Sequence, residues 1–107
     1  MSLDVYLTAV RPTTIFDQNI THNLGKMARE AGVYEAMWRP EELGIKTAAQ
    51  LISPLRAGLE RLRADPEGFR KFDAPNGWGR YEHLLEFVEK YLSACEQNPD
   101  AEVSVSR

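Results

Sequence analysis

Hydrophobic and polar residues alternate near both ends of the chain, as they do in a strand with one buried face. Over residues 3–10, apolar odd-numbered positions alternate with mostly polar even-numbered ones. The β-branched and aromatic residues 13–16 predict a second short strand, paired with the first in a hairpin. Residues 101–106 alternate again and predict a C-terminal strand, which a turn at residues 98–100 precedes.

The middle of the chain has helical periodicity instead. Leu24, Met27, Ala28 and Ala31 are spaced i, i+3, i+4, i+7, so they would form one apolar face of a helix. Gly32 follows this face directly and is placed to end the helix, because glycine adopts the left-handed backbone conformation that helix ends favour.

Four further helical segments follow from apolar spacing and helix-start signals. Residues 33–38 are predicted to form a short helical piece that stops near Arg39, because Pro40 disfavours helical geometry in the residue before it. Pro40 then begins a single helical turn. Thr47 caps a longer segment, and Pro54 lies inside it, so we expect a kink or a break there. A short helix then starts at residues 65–67.

The last helix has the strongest pattern. Glu86 and Lys90 form an i,i+4 pair in the stabilising order on its polar side. Its apolar face is predicted to consist of Tyr81, Leu84, Leu85, Val88, Leu92 and Cys95.

These elements predict an α+β fold in a single domain that spans residues 1–107. A small, mostly antiparallel sheet joins the N-terminal hairpin to the C-terminal strand, and helices from the middle of the chain cover one face. A chain of 107 residues and 12.2 kDa buries about two-thirds of its surface on folding. That is enough for one core and too little for two domains.

Composition and charge narrow the functional classes. The net charge is −3, from 13 Lys and Arg against 16 Asp and Glu, so nucleic acid is not an expected partner. Cys95 is the only cysteine, which excludes an intramolecular disulfide and a zinc site built on paired cysteines. The start of the chain does not look like a signal peptide, and no apolar run is long enough to span a membrane. We therefore expect a cytoplasmic protein without membrane contact.

The first candidate site is a polar cluster where a strand or loop enters the first helix. It consists of Asn19, Thr21, His22 and Asn23. Unpaired backbone N–H groups and the helix dipole favour an anion at such a position, so a phosphate or carboxylate would fit. The alternative is that Asn19 or Thr21 only caps the helix, while His22 and Asn23 stay solvated.

The second candidate site is the loop that precedes the last helix. Its glycines allow close backbone approach, Trp78 and Tyr81 offer aromatic faces, and Arg80 offers a guanidinium. This combination could stack a nucleobase and hold a phosphate. The alternative is a turn in which Trp78 fills part of the core and a glycine supplies an unusual backbone angle.

A third candidate is the short aromatic segment in which Trp38 and Arg39, together with Tyr34, could wall a pocket. The alternative is that its aromatic residues lock a short helix onto the core. Catalytic patterns are scarce in this chain: it has two histidines and no HxxxH or paired-carboxylate spacing, and no metal or cofactor is predicted. An acid–base role for His22 stays open, because catalytic partners can be distant in sequence.

Four segments resemble a group of short uncharacterised bacteriophage and prophage proteins: NITHNL at 19–24, WRPEE at 38–42, NGWG at 76–79 and VSVSR at 103–107. The resemblance extends over most of the chain and implies no catalytic residues. It implies a bacterial host cytoplasm, and small phage proteins of this size often inhibit host defence, either by contact or by sequestering nucleotide signals without cleaving them.

The combined expectation is a non-enzymatic phage-type protein that binds and sequesters a small anionic, nucleotide-like ligand. One alternative is a protein–protein inhibitor that contacts a host defence component through a surface patch. A second alternative is a small enzyme that uses His22. Because small binders often complete a pocket at a symmetric interface, we also expect a homo-oligomer.

Overall fold

A computed structural model of the protein describes residues 2–9, 14–74, 77 and 79–107. Three strands form one antiparallel sheet in the order β2-β1-β3: β1 is Ser2–Thr8, β2 is Thr14–Thr21 and β3 is Glu102–Ser106. Helices from the middle of the chain pack against this sheet, so the predicted α+β architecture is confirmed.

The central strand β1 shows why the sheet has one covered face. Leu3, Val5 and Leu7 are fully buried, while the residues between them are only half-buried. Val5 pairs with Val105, and Leu7 pairs with both Val103 and Phe16 on the neighbouring strands. Paired residues in an antiparallel sheet point to the same face, so the apolar positions of all three strands turn toward the helices.

The second strand is longer than the predicted segment 13–16; residue 13 itself lies outside the described residues. It continues through Asp17 and Asn19 to Thr21, because each of these polar residues pairs with a residue of β1. Pairing along an existing strand overrides the low strand propensity of Asp and Asn. The polar cluster at 19–23 therefore begins inside a strand.

The described residues form five helices: α1 is Gly25–Ala31, α2 is Tyr34–Trp38, α3 is Ala48–Ala64, α4 is Pro66–Arg70 and α5 is Tyr81–Gln97. Short 3₁₀ turns at His22–Leu24 and Pro40–Leu43 complete the helical part. The predicted positions of the helices and of the single turn after Pro40 are confirmed.

Two details of the helices differ from expectation. Helix α3 is continuous past Pro54, so of the predicted kink or break the break is wrong, and the kink stays a prediction. Packing against α5 stabilises the helix although the proline removes one helical donor. In α5, Leu85 is only half-buried, whereas Phe87 and Tyr91 are buried. The buried face follows Leu84 and its i+3 and i+7 neighbours, and this leaves Leu85 at its edge.

The turn between α1 and α2 is held by a close contact with α3. Gly32 has φ 78° and ends α1, with Val33 N–H donating to Ala28 O at 2.9 Å. Gly58 of α3 lies directly against this turn: an added Cβ would overlap Val33 Cγ1 and would lie 3.2 Å from Ala31 O. Only glycine allows this distance between the two backbones.

Two buried tyrosines of α5 differ in how their hydroxyls are satisfied. Tyr81 Oη donates to Leu62 O at 2.6 Å. This carbonyl would ordinarily accept from the N–H four residues later, but that residue is Pro66, which has none. The buried hydroxyl of Tyr91, in contrast, has no hydrogen-bond partner among the described residues, and burial raises the pKa of Tyr91.

The two tyrosines predict opposite effects of the same substitution. Tyr81→Phe leaves a buried carbonyl without its donor and should lower the free energy of unfolding by about 1–3 kcal/mol. Tyr91→Phe removes an unsatisfied hydroxyl, so it should leave that free energy unchanged or raise it by up to about 1 kcal/mol. Urea unfolding measures both. An equal loss in the two variants would contradict the hydrogen-bond assignment.

The contact at Gly58 predicts that a glycine-to-alanine substitution, which usually stabilises a helix, destabilises this protein. Glycine to alanine in an exposed helix interior stabilises by about 1 kcal/mol. Gly58→Ala should instead destabilise by about 1–3 kcal/mol, because the methyl group overlaps Val33. The same substitution in a Val33→Ala background should cost less, and a double-mutant cycle measures the difference. A stabilised Gly58→Ala would show that the two elements do not touch.

Candidate functional site

The first helical segment has one buried side and one charged side. Leu24, Met27 and Ala28 point into the core. His22 lies half-exposed at the start of the 3₁₀ turn, and the exposed Lys26 and Arg29 lie four and seven positions later, on the opposite side of the helix. This spacing aligns an imidazole, an ammonium and a guanidinium along one face.

Tyr34 of α2 connects this charged face to the next helix. Its ring stacks on Trp38, with centroids 5.2 Å apart and an interplanar angle of 11°. The Arg29 guanidinium carbon lies 4.1 Å from the Tyr34 ring centroid, which is cation–π geometry. Two hydrogen bonds raise the pKa of Arg39: the larger effect comes from the Tyr34 side chain and the smaller from Glu42.

These side chains surround an open cavity of about 320 Å³, here called the cationic cavity. It is lined by His22, Gly25, Lys26, Arg29, Tyr34, Trp38, Arg39 and Arg107. Four of the 13 Lys and Arg of the chain are in this lining, and no Asp or Glu is. The cavity is therefore lined by cationic side chains, although the net charge of the protein is −3.

The four cations are not equally available. Arg39 forms an ion pair with Glu42 at 3.1 Å. Arg107 forms an ion pair with Glu41 and donates to Trp38 O at 2.8 Å, and this ion pair lowers the pKa of Glu41. Lys26 and Arg29, by contrast, have no carboxylate partner among the described residues.

Four residues that the sequence singled out line the cationic cavity: His22, Tyr34, Trp38 and Arg39. Trp38 is only 3% exposed and lies 6.1 Å from the His22 ring in an edge-on arrangement. The alternative interpretation of this segment, in which aromatic residues lock a short helix onto the core, therefore describes Trp38 well.

The predicted polar cluster is divided between two cavities, with His22 in the cationic cavity. Asn19 and Thr21 line a separate groove of about 270 Å³ between β2 and α5. Glu86 and Lys90 of that groove pair with each other at 2.7 Å, so it has no cationic surplus. Thr21 also caps the following turn, because its Oγ1 accepts from Asn23 N–H at 3.3 Å.

The predicted loop site packs against that cluster. A Cβ on Gly79, whose φ is 118°, would lie 3.3 Å from Thr21 Cγ2 and 3.2 Å from Asn23 Cβ. Arg80 is exposed at the start of α5, where its N–H donates to His83 Nδ1 at 3.2 Å. Gly79 thus packs against the side chains of Thr21 and Asn23, whereas Asn19 and His22 line two different cavities.

The structure tests the predicted ligand contact of Tyr81 but not that of Trp78. Tyr81 is 3% exposed, and its hydroxyl is engaged by Leu62, so it belongs to the core rather than to a ligand surface. Trp78 lies outside the described residues, and its stacking on a ligand stays a prediction.

Sequence reasoning did not select Lys26, Arg29 and Arg107. The first two could have been found, since they continue the helical face of His22 opposite the apolar stripe. Arg107 could not, because it approaches Trp38 from a position 69 residues away through the pairing of β3 with β1.

Other reactive groups are placed away from this cavity. Cys95 is fully buried on α5, and burial raises the pKa of its thiol to about 12, which makes it a poor nucleophile. Within the described ranges, no three His, Cys, Asp or Glu side chains lie close enough together to hold a metal ion.

None of the described helices is both long and apolar enough to cross a bilayer. Comparisons with protein-family models, with curated proteins and with solved structures find no match.

Proposed function

We propose that the protein is a non-enzymatic binder that holds and sequesters a small anionic, nucleotide-like ligand in the cationic cavity. The observation that supports this proposal is the lining, which combines four Lys and Arg side chains with His22 and contains no Asp or Glu. Arg39 and Arg107 pair with Glu42 and Glu41, whereas Lys26 and Arg29 have no carboxylate partner among the described residues. A concave surface of one charge sign attracts counter-charged ligands. The cavity volume of about 320 Å³ lies at the small end of the range of ligand sites.

The chemistry of the lining favours binding over turnover. It contains no Ser, Thr, Cys, Asp or Glu, and its one hydroxyl belongs to Tyr34, whose ring is stacked on Trp38. A cavity that provides cations and aromatic surface without a nucleophile–base pair supports retention of an intact ligand.

The biological setting of the proposal is the bacterial host cytoplasm. The resemblance to short phage and prophage proteins supports an anti-defence role, in which the protein withdraws a nucleotide signal from a host system. Sequestration requires affinity and abundance only, and both are compatible with a small protein.

Calorimetric titration with mono-, di- and cyclic nucleotides tests the proposal. We expect heat with at least one of them, and chromatography should recover that ligand unchanged. Lys26→Gln should weaken binding about tenfold or more, because a charge-assisted hydrogen bond contributes about 1.5–3 kcal/mol. The exposed Lys71, which does not line the cavity, provides the matched control Lys71→Gln, for which no change is expected.

The absence of heat with every nucleotide would contradict the proposal. Recovery of a cleaved or modified ligand would instead support the alternative of a small enzyme that uses His22.

An exposed sheet edge favours the second candidate function, inhibition by protein contact. The β3 edge is partly covered, since Val103 N–H donates to Lys46 O at 2.9 Å. No described segment hydrogen-bonds along the outer edge of β2, which runs for eight residues and has Ile15 40% exposed. Such an edge can pair with a strand of another chain.

The mass measured by light scattering tests whether a second copy of the chain pairs with β2. We expect a homodimer, with twice the 12.2 kDa mass, that Ile15→Lys converts to a monomer by placing a charge on the edge. A mass of 12.2 kDa at high protein concentration would contradict self-association and leave the edge open to a host protein.

A further inference from the structure

We propose that the cationic cavity recognises a phosphate monoester or diphosphate group through Lys26 and Arg29, and that it does not recognise a nucleobase by stacking. This inference rests on the proposed function and specifies which part of the ligand the cavity binds. It follows from two observations: the aromatic rings of the lining already contact other side chains, and Lys26 and Arg29 have no ion-pair partner among the described residues.

The aromatic surfaces of the cavity are occupied within the protein. One face of Tyr34 stacks on Trp38 at 5.2 Å, and the Arg29 guanidinium lies over its ring at 4.1 Å. With ring centroids 5.2 Å apart, no base can enter between Tyr34 and Trp38. Trp38 itself is only 3% exposed. A base could contact the Tyr34 ring face only by displacing Arg29.

The same contact prepares Arg29 to bind an anion. A guanidinium stacked on an aromatic ring keeps the N–H donors at its edge available, and their fork geometry matches two oxygens of one phosphate. Arg29 forms no ion pair among the described residues, so binding a phosphate breaks no existing charge contact there. Tyr34 therefore acts as a positioning residue for the guanidinium.

Lys26 supplies the second available charge on the same helical face, three positions before Arg29. Arg39 and Arg107 already pair with Glu42 and Glu41, so each contributes less net charge to the cavity. Two unpaired cations side by side match a group with two negative charges at one place. A phosphate monoester or diphosphate has this charge, whereas a cyclic phosphodiester has one charge per phosphate.

Titration with inorganic pyrophosphate, ADP and adenosine tests this inference. We expect pyrophosphate and ADP to bind with Kd values within about threefold of each other, and adenosine to give no heat. Binding of ADP without binding of pyrophosphate would overturn the inference and leave the proposed function intact. If neither these probes nor the wider nucleotide panel bound, the proposed function would fail, and the inference would fail with it.

Matched variants test the assigned residues. Arg29→Gln should weaken pyrophosphate binding about tenfold or more, whereas Arg63→Gln, which removes an arginine 58% exposed on α3, should not. Tyr34→Leu should weaken binding as Arg29→Gln does, and Tyr34→Phe, which keeps the ring under Arg29, should restore most of the affinity. Equal binding by Tyr34→Leu and the unchanged protein, both folded by circular dichroism, would overturn the positioning role.

Discussion

The close contact between α3 and the turn that joins α1 to α2 is the constraint on which the rest of the structure depends. Gly58 lets the α3 backbone approach Val33 and Ala31, where a larger side chain would separate them. Arg61, one turn later on α3, donates to Ala31 O at 3.0 Å and satisfies a carbonyl at the end of α1. These two contacts fix the angle between two helices that are too short to be stable alone.

The function proposed for the protein depends on that angle. Arg29 is in the last turn of α1, and Tyr34 begins α2, so the turn between them determines whether the guanidinium lies over the ring. The stack in turn keeps Arg29 available at the cavity while it covers the aromatic surface. In the proposed function, a packing contact inside the fold thereby favours binding of a phosphate over binding of a base.

Periodicity predicted most of the fold, because helices and strands here bury one regular face. The stop at Gly32 and the cap at Thr47 were visible for the same local reason. The extension of β2 through Asn19 could not be predicted from local sequence, because it is caused by pairing with β1. The site was predicted only in part: His22 was identified from its own segment, whereas Arg107 joins it through long-range sheet pairing.

Nuclear magnetic resonance of the arginine side chains directly tests whether Arg29 binds phosphate, because each Nε–H gives its own signal. During titration with pyrophosphate, the account predicts that the Arg29 signal shifts and becomes protected from exchange with water. The signals of Arg56 and Arg63, which pair with Glu96 and Glu89 elsewhere, should stay unchanged. An unchanged Arg29 signal at saturating pyrophosphate would contradict phosphate binding by Arg29.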